Sequence, residues 1–121
     1  MNKTILIVDD FKNTRFVIKF TLQNAGYDTL EAEDGREALK FFNGTKIDLI
    51  VTDFNMPEMN GLEFIKEVKK KPEYQFTPVL LLTTETRDDI KKQAYEIGIT
   101  AWIHKPFKFD QFLEIVKKAL K

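Results

Sequence analysis

Asp9 and Asp10 stand side by side directly after the apolar run Ile5 to Val8, and Asp53 follows a second run, Leu49 to Val51, with only Thr52 between. A third run, Val79 to Leu82, ends at Thr83, and Lys105 lies just beyond a weaker segment, Thr100 to Ile103. Carboxylates brought together repel strongly unless a cation or a proton intervenes, and a hard divalent ion such as Mg²⁺ relieves that repulsion through oxygen ligands. A threonine hydroxyl donates a hydrogen bond, and a lysine ammonium offsets anionic charge. Gathered in one crevice, these five residues suit an anion that also needs a metal, above all a phosphoryl group. Singly, each has a plainer reading: Asp9 and Asp10 as caps of the following helix, Asp53 and Thr83 as turn residues, Lys105 as a solvated lysine. Three carboxylates on two strand ends favour the chemical reading.

The elements that must position them follow from periodicity. The three apolar runs are continuous and rich in β-branched residues, as strands covered on both faces of a parallel sheet are. Weaker strands are predicted around Asp28 to Ala32 and Thr100 to Ile103. Between them, Thr14, Val17, Ile18, Thr21, Leu22 and Ala25 keep helical spacing and Gly26 supplies a C-terminal stop. Further helices are predicted near 35–43, 61–70, 87–97 and 108–120. Thr86 with Asp89 three residues on reads as the cap of the fourth helix, and Phe109, Phe112, Leu113, Val116 and Leu120 form the stripe of the last. Strand and helix thus alternate five times. Right-handed crossovers and two-sided burial favour an α/β fold with an open, doubly wound parallel sheet. In such sheets the ligand crevice lies beyond the carboxyl ends of the strands, where the polar residues fall.

Composition narrows the field. A chain of 121 residues is the size of one domain, and no linker, repeat or low-complexity tract divides it. Nineteen basic residues balance 19 acidic ones, so neither nucleic acid nor a membrane surface is an expected partner. The run Ile5 to Val8 is far shorter than the roughly 20 residues of a membrane span, and a cytoplasmic location is expected. The absence of cysteine excludes disulfides and thiolate metal sites and fits a reducing compartment, so any metal is held by oxygen or by His104.

Four pieces in order carry a specific resemblance: the Asp9-Asp10 pair after "ILIV", "DFNMPEMNG" from Asp53 to Gly61, "LLLTTE" bearing Thr83, and "KPF" at Lys105 to Phe107. Over its whole length, 1–121, the chain resembles response-regulator receiver domains, most closely the CheY-like proteins of bacterial and archaeal chemotaxis. That resemblance implies a (βα)5 flavodoxin-like fold with strand order 2-1-3-4-5. It implies that Asp53 is the phosphoacceptor, that Asp10, Asp53 and the backbone carbonyl of Asn55 ligate Mg²⁺, and that Asp9 assists through water. Thr83 and Lys105 would contact the phosphoryl oxygens, with Lys105 aimed by a cis peptide bond to Pro106, an isomer that proline makes accessible. A sensor histidine kinase or a small phosphodonor would supply the phosphoryl group. The chain would catalyse only its own phosphorylation and dephosphorylation. The surface of the fourth helix, fifth strand and last helix would then change its affinity for a target, and with no effector domain expected in a chain of this length that target would be bound in trans. A motor switch component, a kinase or a phosphatase are the target classes the resemblance offers.

The chain departs from the family pattern in places. The switch aromatic three residues before Lys105 is Trp102, whose indole finds an inward rotamer harder to reach than a smaller ring; the plain reading is a half-buried strand aromatic. Thr84 stands where a small residue is usual and is expected to slow phosphorylation. Asn55 and Glu85 occupy the positions that tune loss of the phosphoryl group, in a pairing like that of fast-cycling chemotaxis members. His104 reads as a strand-end residue without a chemical role. Phe16 and Phe20, off the main stripe of the first helix, form either a partner-binding patch or a pair packed on a neighbouring helix. Lys117, Lys118 and Lys121 read as a solvated helix end that complements the dipole, or else as a docking surface. Two other functions remain open: a Mg²⁺-dependent phosphatase with a phospho-aspartate intermediate, whose usual Asp-x-Asp on strand one is absent, and a degenerate module that only binds a partner.

Overall fold

The computed structural model describes residues 2–121. Strands β1 (Thr4–Val8), β2 (Asp28–Ala32), β3 (Leu49–Thr52), β4 (Val79–Thr83) and β5 (Ala101–His104) alternate with helices α1 (Lys12–Asn24), α2 (Gly35–Leu39), α3 (Gly61–Lys69), α4 (Asp88–Glu96) and α5 (Phe109–Ala119). The strands form one sheet in the order β2-β1-β3-β4-β5, with every adjacent pair parallel. The expected doubly wound α/β fold and strand order are both present.

Because side chains alternate across a strand, each continuous apolar run feeds two cores. Leu6, Val8, Ile50 and Leu81 pack with Ala38 of α2, Leu62, Ile65 and Val68 of α3 and Ala94 of α4. Ile5, Ile7, Val51, Leu80 and Leu82 point the other way, onto Ile18 and Leu22 of α1 and Phe112 and Val116 of α5. Helices therefore cover both faces, which is why β1, β3 and β4 carry no polar alternation.

The stop of α1 is the predicted one. Gly26 has φ +96°, and its N–H and that of Tyr27 bond Gln23 and Leu22 carbonyls at 3.0 and 3.1 Å, a Schellman closure. Two boundaries differ from expectation. The helix predicted over 35–43 is regular only to Leu39; the N–H groups of Lys40, Phe41 and Phe42 then bond three residues back, a tightened path. Phe42 is thereby buried. Thr86 does not cap α4, which starts at Asp88 without a side-chain cap bond. Glu85 instead organises the turn before it, its Oε2 accepting the N–H groups of Thr86 and Arg87 at 2.9 and 3.0 Å.

Candidate functional site

Register brings the strand ends together. Val8 lies opposite Thr52, so Asp9 and Asp53 emerge as neighbours, and Asp53 N–H bonds the Val8 carbonyl at 3.0 Å. Thr83 lies opposite His104, and Lys105 N–H bonds the Thr83 carbonyl at 2.8 Å, which turns Lys105 toward the same edge. The Lys105-Pro106 peptide is cis, as the resemblance implied. All of these positions lie at the carboxyl ends of β1, β3, β4 and the edge strand β5, where the crevice was expected.

Asp9, Asp53 and Thr83 are buried although polar. Lys105 Nζ joins two of them, 2.8 Å from Asp9 Oδ2 and 3.1 Å from Asp53 Oδ2. The other oxygens of both carboxylates accept backbone donors: Asp9 Oδ1 from Phe11 N–H at 2.9 Å, Asp53 Oδ1 from Phe54 and Asn55 N–H at 2.6 and 3.2 Å. Asp10 is exposed, and one oxygen from each of Asp9, Asp10 and Asp53 lies within 4.8 Å of the others. These hard oxygen donors, already drawing a cationic ammonium between them, fit a small divalent ion.

Burial pushes the Asp9 carboxyl above its ordinary value, against the pull of the Lys105 ammonium and the Phe11 N–H. Burial also draws Lys105 down, but Asp9, joined by Asp53, outweighs it and holds the ammonium above its usual value. Both shifts favour bound protons, as expected where three carboxylates share a partly dry pocket with one cation.

The loop between β3 and α3 is drawn tightly over the site. A Cβ on Gly61 would collide with the Asp53 carbonyl oxygen and come within 2.9 Å of Phe54 Cα, so only glycine lets α3 start here. Gly61 N–H bonds the Phe54 carbonyl at 2.8 Å. Next to it, Asn60 and Glu63 form a capping box at 2.9 Å in each direction.

The other predicted residues fall around this centre. Asn55 is exposed and reaches the site through its N–H; Thr84 is exposed beside Thr83. Glu85 N–H bonds Thr83 Oγ1 at 3.1 Å, while its carboxylate pairs with Arg87 at 2.9 Å and is held down to about 2 by that guanidinium. Trp102 is half-buried against the core beneath α2, α3 and α4, and its backbone N–H donates to the Tyr95 hydroxyl at 3.1 Å. His104 is exposed and lies outside the carboxylate cluster. Phe16 and Phe20 stack at 6.4 Å and stay 65% and 57% exposed, lining a groove with Val17, Phe109 and Leu113 rather than packing under a neighbouring helix. Lys117 and Lys118 are exposed in the last turn of α5.

Three contacts went unread in the sequence. Arg15 Nη1 donates to the Asp9 carbonyl at 2.7 Å, Arg87 clamps Glu85, and Tyr95 meets Trp102. Arg15 had a weak signal: a lone arginine one turn into the helix after two aspartates.

Comparison with known proteins accords with this geometry. The family model "Response regulator receiver domain" matches residues 5–117. The chain is 36% identical over 115 residues to the chemotaxis protein CheY of Pseudomonas aeruginosa, covering 94% of this chain and 93% of that protein. It superposes on the chemotaxis protein CheY4 of Vibrio cholerae with a TM-score of 0.93 and 41% identity, over 99% of this chain and 100% of that one. It also matches the response regulator TrrA of Thermotoga maritima, solved in complex with Mg²⁺ and BeF, with a TM-score of 0.86 and 36% identity over 98% and 99% of the two chains. A sheet edge that presents these acidic, hydroxyl and cationic groups in this order, on a fold shared from end to end with such proteins, makes the chain a member of the response regulator receiver family.

Proposed function

We propose that residues 1–121 form one receiver domain that works as a Mg²⁺-dependent phosphorylation switch in chemotaxis or motility control, with Asp53 as phosphoacceptor. The observation that carries this reading is the Lys105 ammonium bridging two buried carboxylates, with a third inside 4.8 Å.

Asp53 Oδ1 is engaged by two N–H groups, which leaves Oδ2, beside Lys105, as the oxygen that attacks phosphorus in line. The leaving group is the imidazole of a sensor histidine kinase or the carboxylate of a small phosphodonor. Asp10, Asp53 and the Asn55 carbonyl would hold Mg²⁺, with Asp9 assisting, and the ion would supply positive charge to the transferring group. Lys105 exchanges its carboxylate partner for a phosphoryl oxygen. Thr83 accepts a bond from Glu85 N–H, so its hydroxyl proton is free to donate to another phosphoryl oxygen. No proton shuttle is needed, and the chain acts on no turnover substrate beyond its own phosphoryl group.

Movement of Thr83 and Trp102 toward the phosphoryl group shifts the balance between two states of the α4, β5 and α5 surface. The shift is limited by the difference in interaction with each state. A motor switch component, a kinase or a phosphatase then binds one state better. The chemotaxis role rests on the CheY relatives, and the place of action is the cytoplasm.

The test is Trp102 fluorescence during addition of Mg²⁺ and then beryllofluoride, with Asp53→Asn alongside. A saturable, Mg²⁺-dependent change lost in the variant supports the reading. No change, together with no phosphate detected on Asp53 by mass spectrometry, would replace it with a binding module that has lost the chemistry.

A further inference from the structure

Asp10 is the most exposed of the three carboxylates, and among the described residues its side chain makes no hydrogen bond, yet it must be aimed to serve as a metal ligand. Its direction comes from the backbone on either side. The peptide after it is fixed by Phe11 N–H on Asp9 Oδ1 at 2.9 Å, and the peptide before it by Arg15 Nη1 on the Asp9 carbonyl at 2.7 Å. The second anchor comes from a different element, α1.

Arg15 is itself held. Its side chain is 14% exposed, and its Nε lies 3.4 Å from Glu31 Oε1 on β2. That separation and the missing hydrogen bond at Nε make the pairing an ion pair rather than an aligned bond. Lys19, one turn further along α1, takes the other Glu31 oxygen at 3.0 Å. Glu31 thus pins the guanidinium between β2 and the end of β1 and offsets its charge.

From this geometry we infer that Arg15 is a positioning residue for the metal site. It acts through the Asp9-Asp10 peptide to preset the Asp10 carboxylate, an inference that rests on the receiver reading above. A guanidinium bound to a carbonyl in this way is short, charge-assisted and directional. Partners one step removed from a metal typically set its affinity by about 10- to 100-fold.

Positioning and simple electrostatics predict opposite signs. Removing a cation near a Mg²⁺ site should tighten binding if charge alone matters. If Arg15 aims Asp10, its loss should weaken binding despite the lost repulsion. Mg²⁺ demands near-ideal octahedral geometry, whereas Ca²⁺ tolerates irregular, longer ligands, so a loosened Asp10 harms Mg²⁺ selectively.

The experiment is calorimetric titration of the whole chain and of Arg15→Ala with Mg²⁺ alone and with Ca²⁺ alone, after circular dichroism shows the variant folded. The expected result is Mg²⁺ affinity lower by about 10-fold or more, with Ca²⁺ affinity changed less than about threefold. Ethylguanidinium added to Arg15→Ala should restore part of the Mg²⁺ affinity. Should Arg15→Ala not fold, Arg15→Gln, which keeps a donor and most of the volume, takes its place and should lose less. Unchanged or tighter Mg²⁺ binding, or an equal loss for both ions, overturns the positioning role while leaving the receiver reading intact. Absence of Mg²⁺ binding by the unaltered chain would overturn both.

Discussion

Lys105 Nζ lies 3.1 Å from Asp53 Oδ2 while also holding Asp9 Oδ2 at 2.8 Å, so one ammonium serves two buried carboxylates from a strand end across the sheet. Removing it strands both anions. Lys105→Met should therefore lower stability by ~3 kcal/mol without added Mg²⁺, the order seen when a buried pair loses one partner. Mg²⁺ should restore much of that loss, because the ion takes over the neutralising role. Urea unfolding with and without Mg²⁺ measures both quantities. An equal destabilisation in both conditions would show that Lys105 packs the loop rather than balancing the charge.

Asp10 presents the reverse case, an exposed carboxylate facing two others with no hydrogen bond of its own. Such a residue is kept at some expense to the fold. Asp10→Asn should raise the melting temperature without Mg²⁺, by the equivalent of about 0.5–1 kcal/mol of relieved like-charge repulsion. It should also cut Mg²⁺ affinity by at least about tenfold. Thermal melts and calorimetry on the same preparation check the pair of signs. A variant less stable without the ion would remove the repulsion argument.

Gly61 lets the first turn of α3 lie against the Asp53 backbone. In Gly61→Ala the added methyl meets main-chain atoms, with Phe54 Cα at 2.9 Å, and cannot be relieved by turning a side chain. The backbone on one side must move, at a cost of about 2–3 kcal/mol. Since that backbone carries Asp53, the response of Trp102 to beryllofluoride should weaken together with stability. Urea midpoints and the fluorescence titration report the two effects. A stable variant with an intact response would mean that the loop has room to shift.

Much of this architecture was legible because it rests on local chemistry. Ile5 to Val8 and Val79 to Leu82 read as buried strands since both faces of each pack on helices, and Gly26 ended α1 because its backbone takes φ +96°. The motif residues stood at strand ends, which register then made neighbours. What stayed hidden depended on distances that only the assembled fold sets. That Arg15 reaches the Asp9 carbonyl depends on how α1 is rotated on the sheet. The expected Thr86 cap failed because the helix begins one residue later, with Arg87 in the N-cap position, and the preceding turn is organised by Glu85 on the N–H groups of Thr86 and Arg87. The last turn of the second predicted helix tightened because Phe42 had a core position to fill.

Glu85 is held by the Arg87 side chain and backbone, which keep its carboxyl at about 2 against an ordinary value of 4.5. A carboxyl lowered in the folded state stabilises above its unfolded value, and that contribution is lost as pH falls from about 4.5 toward 2. Carbon-detected NMR should find Glu85 still ionised at pH 3, and in Arg87→Gln its titration should move up toward the normal carboxylate range, the backbone N–H groups of Thr86 and Arg87 still holding it somewhat below. The acid unfolding limb of the variant should correspondingly flatten in that window. A Glu85 that titrates normally in the unaltered chain would mean that the pair is open in solution.

Thr84 is exposed directly after the buried Thr83, and on the proposed reading it borders the path of a phosphodonor to Asp53. Its extra methyl and hydroxyl sit where the resemblance calls for a smaller side chain. If that path limits approach, Thr84→Ala should be phosphorylated several-fold faster, roughly 3-fold for a barrier change of under 1 kcal/mol. The gain should appear with a small donor such as acetyl phosphate, which needs no docking surface. It should leave Mg²⁺ affinity unchanged, since Thr84 contributes no carboxylate to the cluster of Asp9, Asp10 and Asp53. Stopped-flow quenching of Trp102 gives the rate, and calorimetry gives the affinity. Equal rates would show that the path is already wide enough and that the chemical step at Asp53 sets the speed.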